Sequence, residues 1–393
     1  MNVDYIFTSD SVTAGHPDKL CDKISDAIVD KFLRQDPFSK VIAECAIANG
    51  ILFISCRFAS KARVDITDIA RKVIESVGYS PQTSFNAQDC TILASVQDLH
   101  RGDYDPVDER FLDDDGLDRI VALNQVNAFG FACEQTPALM PMPIWLAHRL
   151  ARRLDHSRQV LPYLAPDGQV QVAVEYTNRR PSRIHSLTLL VSHQETGLPG
   201  TEQLRNELYE QIVEPVFTDE TVKPDAATQF VVNPYGPIID GGPKLHSGLT
   251  GRKNGIDTYG EYARHSGAAL SGKDPMRIDR VGAYAARHAA KNIVAAGLAS
   301  QCEIQLSYSI GLAGPVSISV DTFGTGKHSD DKILTLIKQR FDFRLGAIVR
   351  DLNLRHLPQA LQGGAYGELA AYGHMGREEI ALPWERTDKA ESL

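Results

Sequence analysis

GHPDKLCDKISDAIVDKFL at Gly15–Leu33, with VIAECAIANGILFISCRF at Val41–Phe58, sets the architecture. Pro17 suits a helix's first turn, because its fixed φ is already helical and its missing N–H is not needed there. Leu20, Ile24, Ala27 and Ile28 then fall on one apolar face, which predicts a helix over Pro17–Leu33. Asp18, Asp22 and Asp26 recur on another face, and the last two read as decoration of a solvated surface. Val41–Ile47 and Ile51–Phe58 read as two strands joined at Asn49–Gly50, a dipeptide that accepts the positive φ of a tight hairpin. A helix laid on a hairpin is a unit of α/β architecture.

Further along, Val64–Val77 has helical spacing and ends at Gly78. Pro143–Leu154 reads as a helix, Val170–Tyr176 and Ile184–Val191 as strands, and Thr201–Val213 as another helix. A third block runs from an Ala-rich helix, Val281–Ala296 with its stop at Gly297, through strands Cys302–Ser309 and Val316–Asp321, to a helix near Ser329–Arg340. The expectation is an α/β (α+β) chain of three related domains, each a mixed sheet covered by helices. Their boundaries are placed at 1–120, 121–245 and 246–393, the first interwoven with later segments. Arg101–Arg119 is dense in Asp and Gly without apolar periodicity. It reads as a mobile surface loop or as a lid over a substrate.

Composition removes several classes. The 393 residues carry 41 basic against 50 acidic side chains, a formal charge of −9 that argues against a general nucleic-acid partner. No apolar run reaches the length of a membrane span, and the amino terminus lacks the order of a secretion signal, so a cytoplasmic protein is expected. The six cysteines occur singly, without CxxC pairs, and read as buried free thiols.

The chemistry gathers at GHPDK, at GLTGRK (Gly248–Lys253) and at SGKDP (Ser271–Pro275). His16 and Asp18 would lie at a helix start, where unpaired N–H groups attract phosphate. Arg252, Lys253 and Lys273 follow glycine turns that permit close backbone approach, and a polyphosphate would give all three cations one partner. Asp18 is a candidate Mg2+ ligand, and Asp279 either a second one or a helix cap. Glu44, on the first strand, pairs with a cation or faces solvent. GTGKHS at Gly324–Ser329 lacks the spacing of a P-loop and reads as a strand-to-helix turn. Trp145 reads as core, and His100, His185 and His193 as incidental. The pattern points to an ATP-using enzyme.

With FTSDSVTAGHPDK (Phe7–Lys19), VNPYG (Val232–Gly236), GGP (Gly241–Pro243), GLTGRKNGIDTYG (Gly248–Gly260), GAALSGKDPMRIDR (Gly267–Arg280) and AAYGHMGRE (Ala370–Glu378), the chain closely resembles the S-adenosylmethionine synthetases, or methionine adenosyltransferases, over nearly its whole length. The resemblance implies three α/β domains and a homodimer, sometimes paired into a tetramer, with active sites between subunits. It implies attack of methionine sulfur on C5′ of ATP, release of the whole triphosphate, and its hydrolysis to pyrophosphate and phosphate, assisted by Mg2+ and K+. Carried over by motif, His16 stands near the bridging 5′ oxygen. Asp18 and Asp279 bind Mg2+, and Glu44 lies near K+. Arg252, Lys253 and Lys273 hold phosphate, and Asp167 of APDG contacts the ribose.

This chain departs from that family pattern where methionine and adenine would be recognised. Arg57 stands in place of an acid, Leu99 in place of a Gln, and Asn124 replaces the acid of a GDQG segment. His246 takes the place of an Asp, Arg277 of a Lys, Ile238 of an aromatic residue, and Gln169 of a phosphate-site Lys. Losing carboxylates while gaining Arg57 and a titratable His246 disfavours an ammonium group in the acceptor. The expectation is an adenosyltransferase with methionine as default acceptor. The alternatives are a neutral or anionic acceptor, with an altered base preference, or a noncatalytic nucleotide-binding homologue.

Overall fold

A computed structural model describes residues 4–99, 104, 106–361 and 364–393. Three sheets organise the chain, and none is built from one contiguous stretch. The first joins β1 (Tyr5–Val12) to the long hairpin β6 (Leu164–Thr177) and β7 (Arg180–His193), with β8 (Gln229–Val232) and β9 (Ile238–Ile239) parallel to β7. The second runs β10 (Gly248–Leu249), β2 (Lys40–Ala48), β3 (Ile51–Ala59), β4 (Thr91–Asp98). The third pairs β5 (Val126–Cys133) with β11 (Gln301–Tyr308) and β12 (Ser317–Asp321), all antiparallel. Strands from both sides of residues 120 and 245 therefore share sheets.

The opening stretch folds as its pattern dictates. Helix α1 spans Pro17–Gln35, and the β2–β3 hairpin turns at Asn49, whose φ is 53°. Alternation along β2 buries Val41, Ala43, Cys45 and Ile47 beneath α1 and leaves Glu44 on the opposite, exposed face. Helix α2 (Ile66–Ser76) starts later than its apolar spacing suggests, because Asp65 caps it by accepting from the Thr67 and Asp68 N–H groups, both at 3.0 Å. Helix α3 (Met142–Ser157) packs on β1 and β6.

The helix expected over Thr201–Val213 is α4 (Thr201–Leu208) continued by a π turn, Tyr209–Val213, into Glu214–Phe217. Pro215 supplies the reason. Its ring would crowd the carbonyl four residues back, and the wider turn relieves that clash. Helix α5 (Ile278–Ala295) is buried on every side from Ile278 to Val294, packed on the neighbouring strands β5 and β11, which its alanines permit. Gly297, at φ 65°, ends it. Helix α6 (Asp330–Arg340) follows the Gly324–Ser329 turn.

The described part of Arg101–Arg119 is more than a bare loop. It forms turns at Glu109–Phe111 and Asp114–Asp118, tied down by the buried Glu109–Arg355 pair and by Arg344 on Asp114 and Asp118. Residues 101–103 and 105 of the segment read as a lid lie outside the described residues, as does His100. All six cysteines are buried free thiols. Among the described residues no helix is long and apolar enough to cross a membrane.

Candidate active site

Helix α1 is the frame of the site. His16 occupies its N-cap, and the ring Nδ1 accepts the Asp18 N–H at 3.2 Å. In the neutral ring the proton therefore sits on Nε2, which is left to donate elsewhere. Burial pushes the His16 pKa down to about 4, against the pull of Asp167 and Asp18. The ring is a neutral donor at ordinary pH. Gly15 brings this turn against the APDG segment: a Cβ at Gly15 would lie 2.5 Å from the Pro166 carbonyl oxygen.

The acids of α1 are not surface decoration, which corrects the reading of Asp22 and Asp26. Both are fully buried, because each carboxylate accepts a backbone N–H from a distant glycine turn. Asp18 Oδ1 takes the Leu249 N–H at 3.0 Å, Asp22 Oδ1 the Gly251 N–H at 2.8 Å, and Asp26 Oδ1 the Gly272 N–H at 2.8 Å. Asp30, one turn on, takes the Tyr366 and Gly367 N–H groups at 3.1 and 2.9 Å. One helix edge thus fixes both turns that carry the phosphate-binding candidates. Gly272 needs its φ of 77°, and a Cβ there would lie 2.0 Å from the Ala43 carbonyl oxygen.

Two further cations neutralise the row. Lys19 Nζ bonds Asp22 at 2.9 Å and also Asp257, and Arg280 binds both oxygens of Asp26 at 2.6 Å. Burial raises the Asp26 pKa while Arg280 opposes it. Lys19, Asp30, Asp257 and Arg280 were not singled out from the sequence. The signal available was the four-residue recurrence of Asp along a helix whose remaining faces are apolar.

The candidate residues form two groups. In the first, Arg252 Nε lies 2.7 Å from Asp18 Oδ1 and Lys253 Nζ 3.8 Å from Asp18 Oδ2. His246 Nε2 lies 2.9 Å from Asp167 Oδ2, which also accepts the Gly242 N–H at 2.7 Å. The His16 and His246 rings are 4.8 Å apart. Ile238 joins through Ser192, which pairs with it in register and donates to the Asp167 carbonyl at 2.5 Å. Gln169, two residues past Asp167, reaches Asp10 at 3.5 Å.

The second group surrounds the start of α5. Asp279 is not a helix cap; Arg277 holds that position, without a capping bond. Asp279 Oδ1 accepts from Asn124 Nδ2 at 2.8 Å, and its Oδ2 lies 3.6 Å from Lys273 Nζ. Burial lowers the Lys273 pKa, with Asp279 opposing and Glu44 adding a weaker pull. Arg277 Nε is 3.8 Å from Asp274. Arg57 is exposed on β3, opposite Ile42 of β2, and Leu99 continues β4 through a bond from its N–H to the Phe58 carbonyl at 2.7 Å. Among the described residues no hydrogen bond or ion pair joins the first group to the second. Their anchors on α1, Asp18 and Asp26, are eight residues apart, about 12 Å of helix rise.

Cation sites were tested on the donors present. Asp18 Oδ2 is buried and has no hydrogen-bond partner among the described residues, which fits a hard divalent cation. His16, Asp167 and His246 also offer three ligand atoms within 4.8 Å of one another. His16 spoils that set. A metal on Nε2 would force its proton onto Nδ1, against the Asp18 N–H.

Residues 4–100, 119–238 and 240–386 match the models of the S-adenosylmethionine synthetase N-terminal, central and C-terminal domains. The chain is 49% identical to the S-adenosylmethionine synthase of Gloeothece citriformis (strain PCC 7424), over 99% of this chain and 96% of that protein. It is equally 49% identical to the S-adenosylmethionine synthase of Thermosynechococcus vestitus (strain NIES-2133 / IAM M-273 / BP-1), over 99% of this chain and 97% of that one.

Proposed function

The chain belongs to the S-adenosylmethionine synthetase family and is an enzyme, and we propose that it transfers the adenosyl group of ATP by nucleophilic attack at C5′. The triphosphate leaves whole and is then hydrolysed to pyrophosphate and phosphate. Methionine is the default acceptor, as the names of the relatives indicate.

The observation that carries this reading is the fixed tautomer of His16. Breaking the C5′–oxygen bond puts charge on the bridging oxygen, and a buried neutral ring with its proton on Nε2 is built to donate there. One such donor contributes about 10²–10³ in rate. Arg252 and Lys253 hold the phosphate tail from one side and Lys273 from the other. Asp167 keeps Oδ1 for the ribose, its Oδ2 being engaged. Ile238 packs the base without an aromatic face. Mg2+, held by Asp18 and by Asp279, would neutralise phosphate charge, with K+ near Glu44.

The two groups need a second subunit to meet. Opposite its buried side, the β2–β3–β4 sheet exposes Ile51, Phe53 and Leu93, each 45–52% accessible, next to Glu44 and Arg57. An apolar face of this kind calls for a partner. In the proposed homodimer it meets its copy, so that the His16 group of one chain faces the Lys273 group of the other. A tetramer of such dimers fits the same plan. Six free thiols suit the reducing cytoplasm.

A second reading, a neutral or anionic acceptor, is favoured by Arg57 on the exposed strand and by Asn124, which spends its amide on Asp279. Purified protein with ATP, Mg2+ and K+, with and without methionine, tests the reading by mass detection of the product. The first reading expects S-adenosylmethionine and the second an adenosylated neutral or anionic acceptor, each with pyrophosphate and phosphate. ATP that binds without any C5′ cleavage, whatever the acceptor, would sink it.

A further inference from the structure

His246 is the group that the proposed reaction leaves without work. Its Nε2 is tied to Asp167 at 2.9 Å, its side chain is 36% exposed, and its ring lies beside His16. Among the described residues Nδ1 has no hydrogen-bond partner. A carboxylate bonded to one ring nitrogen, with the other nitrogen open to the site, is the arrangement of a general base.

A base has nothing to do when a thioether attacks carbon, because the sulfonium product forms without losing a proton. It has a task only when the nucleophile carries one. The charges of the second group, which the proposed dimer would bring opposite His246, agree. Arg57 and Arg277 can receive a carboxylate, whereas Leu99 and Asn124 offer an ammonium group no counter-charge.

We propose that His246, oriented by Asp167, is a general base, and that the acceptor is a small neutral or anionic molecule with a nucleophilic thiol or alcohol. This rests on the adenosyl-transfer reading and narrows its acceptor. The sulfur or oxygen forms a bond to C5′, and the C5′–oxygen bond breaks with its electron pair leaving on the triphosphate. The acceptor's proton passes to His246 Nδ1, and Asp167 stabilises the resulting imidazolium through Nε2–H. Asp167 on β6 and His16 at the start of α1 face His246, and Asp18 and Lys253 act in turn on His16, with Arg252 on Asp18.

Four acceptors separate proton from ammonium: methionine, homocysteine, 3-(methylthio)propionate and 3-mercaptopropionate. Each is offered to the full-length enzyme with ATP, Mg2+ and K+ at neutral pH, and adenosylated product and pyrophosphate are both quantified. The thiols are expected to exceed their thioether counterparts at least tenfold, with 3-mercaptopropionate ahead of homocysteine. H246Q should lower thiol turnover by about 10²–10³ and abolish the imidazole limb of the kcat pH profile. H246G should regain part of the rate with added imidazole. Faster turnover of the thioethers, or thiol turnover unchanged in H246Q, would overturn the inference and leave adenosyl transfer standing. No C5′ cleavage with any acceptor, by enzyme that still binds the ATP analogue, would remove both.

Discussion

The edge of α1 and the solvent face of the β2–β3–β4 sheet hold the two halves of the proposed chemistry under opposite constraints. Along α1, Asp18, Asp22 and Asp26 are buried, and each accepts a backbone N–H from a turn that bears a cation. Replacing one of them leaves a buried donor or charge without its partner. On the sheet face, Glu44 and Arg57 are exposed in the single chain, on strands whose other side is the core. Changing them costs the fold little. The proposed polyphosphate machinery is therefore anchored in the core, whereas Arg57, proposed to face the acceptor, sits on a sheet face that the single chain leaves exposed. The departure from the family pattern at Arg57 falls where change costs the single chain little.

Mixing two crippled variants gives the largest test of this division. H16A and K273A each disable a different group, so each alone should lose at least about 10² in turnover. If the groups meet across a dimer, randomly mixed chains give heterodimers with one intact site and one doubly broken site. Activity should return to about one quarter of the parent value, as read by pyrophosphate release after refolding the two chains together. No recovery in verified heterodimers would place both groups within one chain's own site.

Stability should divide in the same way. Asp26→Ala strands Arg280, fully buried, and frees the Gly272 N–H. The expected loss is about 3–5 kcal/mol in denaturant unfolding. A loss under about 1 kcal/mol would mean that the edge of α1 is not the anchor described. The acid response is the next smaller effect. The folded-state pKa of His16 is depressed to about 4 from 6.5, so the unfolded chain binds the proton first. Its contribution to stability is whole above about pH 6.5, declines as pH falls, and is fully lost near 4, at most about 3 kcal/mol. H16N should flatten that part of the stability-against-pH curve.

What could be read in the sequence was local. Asn49–Gly50 carries its own turn geometry, Pro17 its own helix start, and Gly297 its own helix stop, so these elements were legible. Asp22 and Asp26 were misread because helical spacing shows that residues share a face but not what covers it. Their partners lie 229 and 246 positions away. The grouping of the candidates was hidden for the same reason. Lys253 and Lys273 look alike beside their glycines, yet one turn hangs from Asp22 and the other from Asp26. Nor does spacing reveal that β1 joins β6 or that β5 joins β11, since both pairings span long stretches of chain.

The smallest structural effect is the most discriminating for the acceptor. Arg57→Glu changes an exposed side chain on β3 with no bonded partner at its guanidinium among the described residues, so unfolding stability should move by no more than about 0.5 kcal/mol. The charge reversal acts on the ligand instead. A carboxylate there favours an ammonium and repels an acid, so the ratio of methionine to 3-(methylthio)propionate turnover should rise several-fold while kcat for ATP cleavage holds. If the ratio stays fixed, Arg57 does not face the acceptor. If stability falls by 2 kcal/mol or more, about the loss of a buried interaction, the sheet face is not the tolerant surface that its exposure indicates.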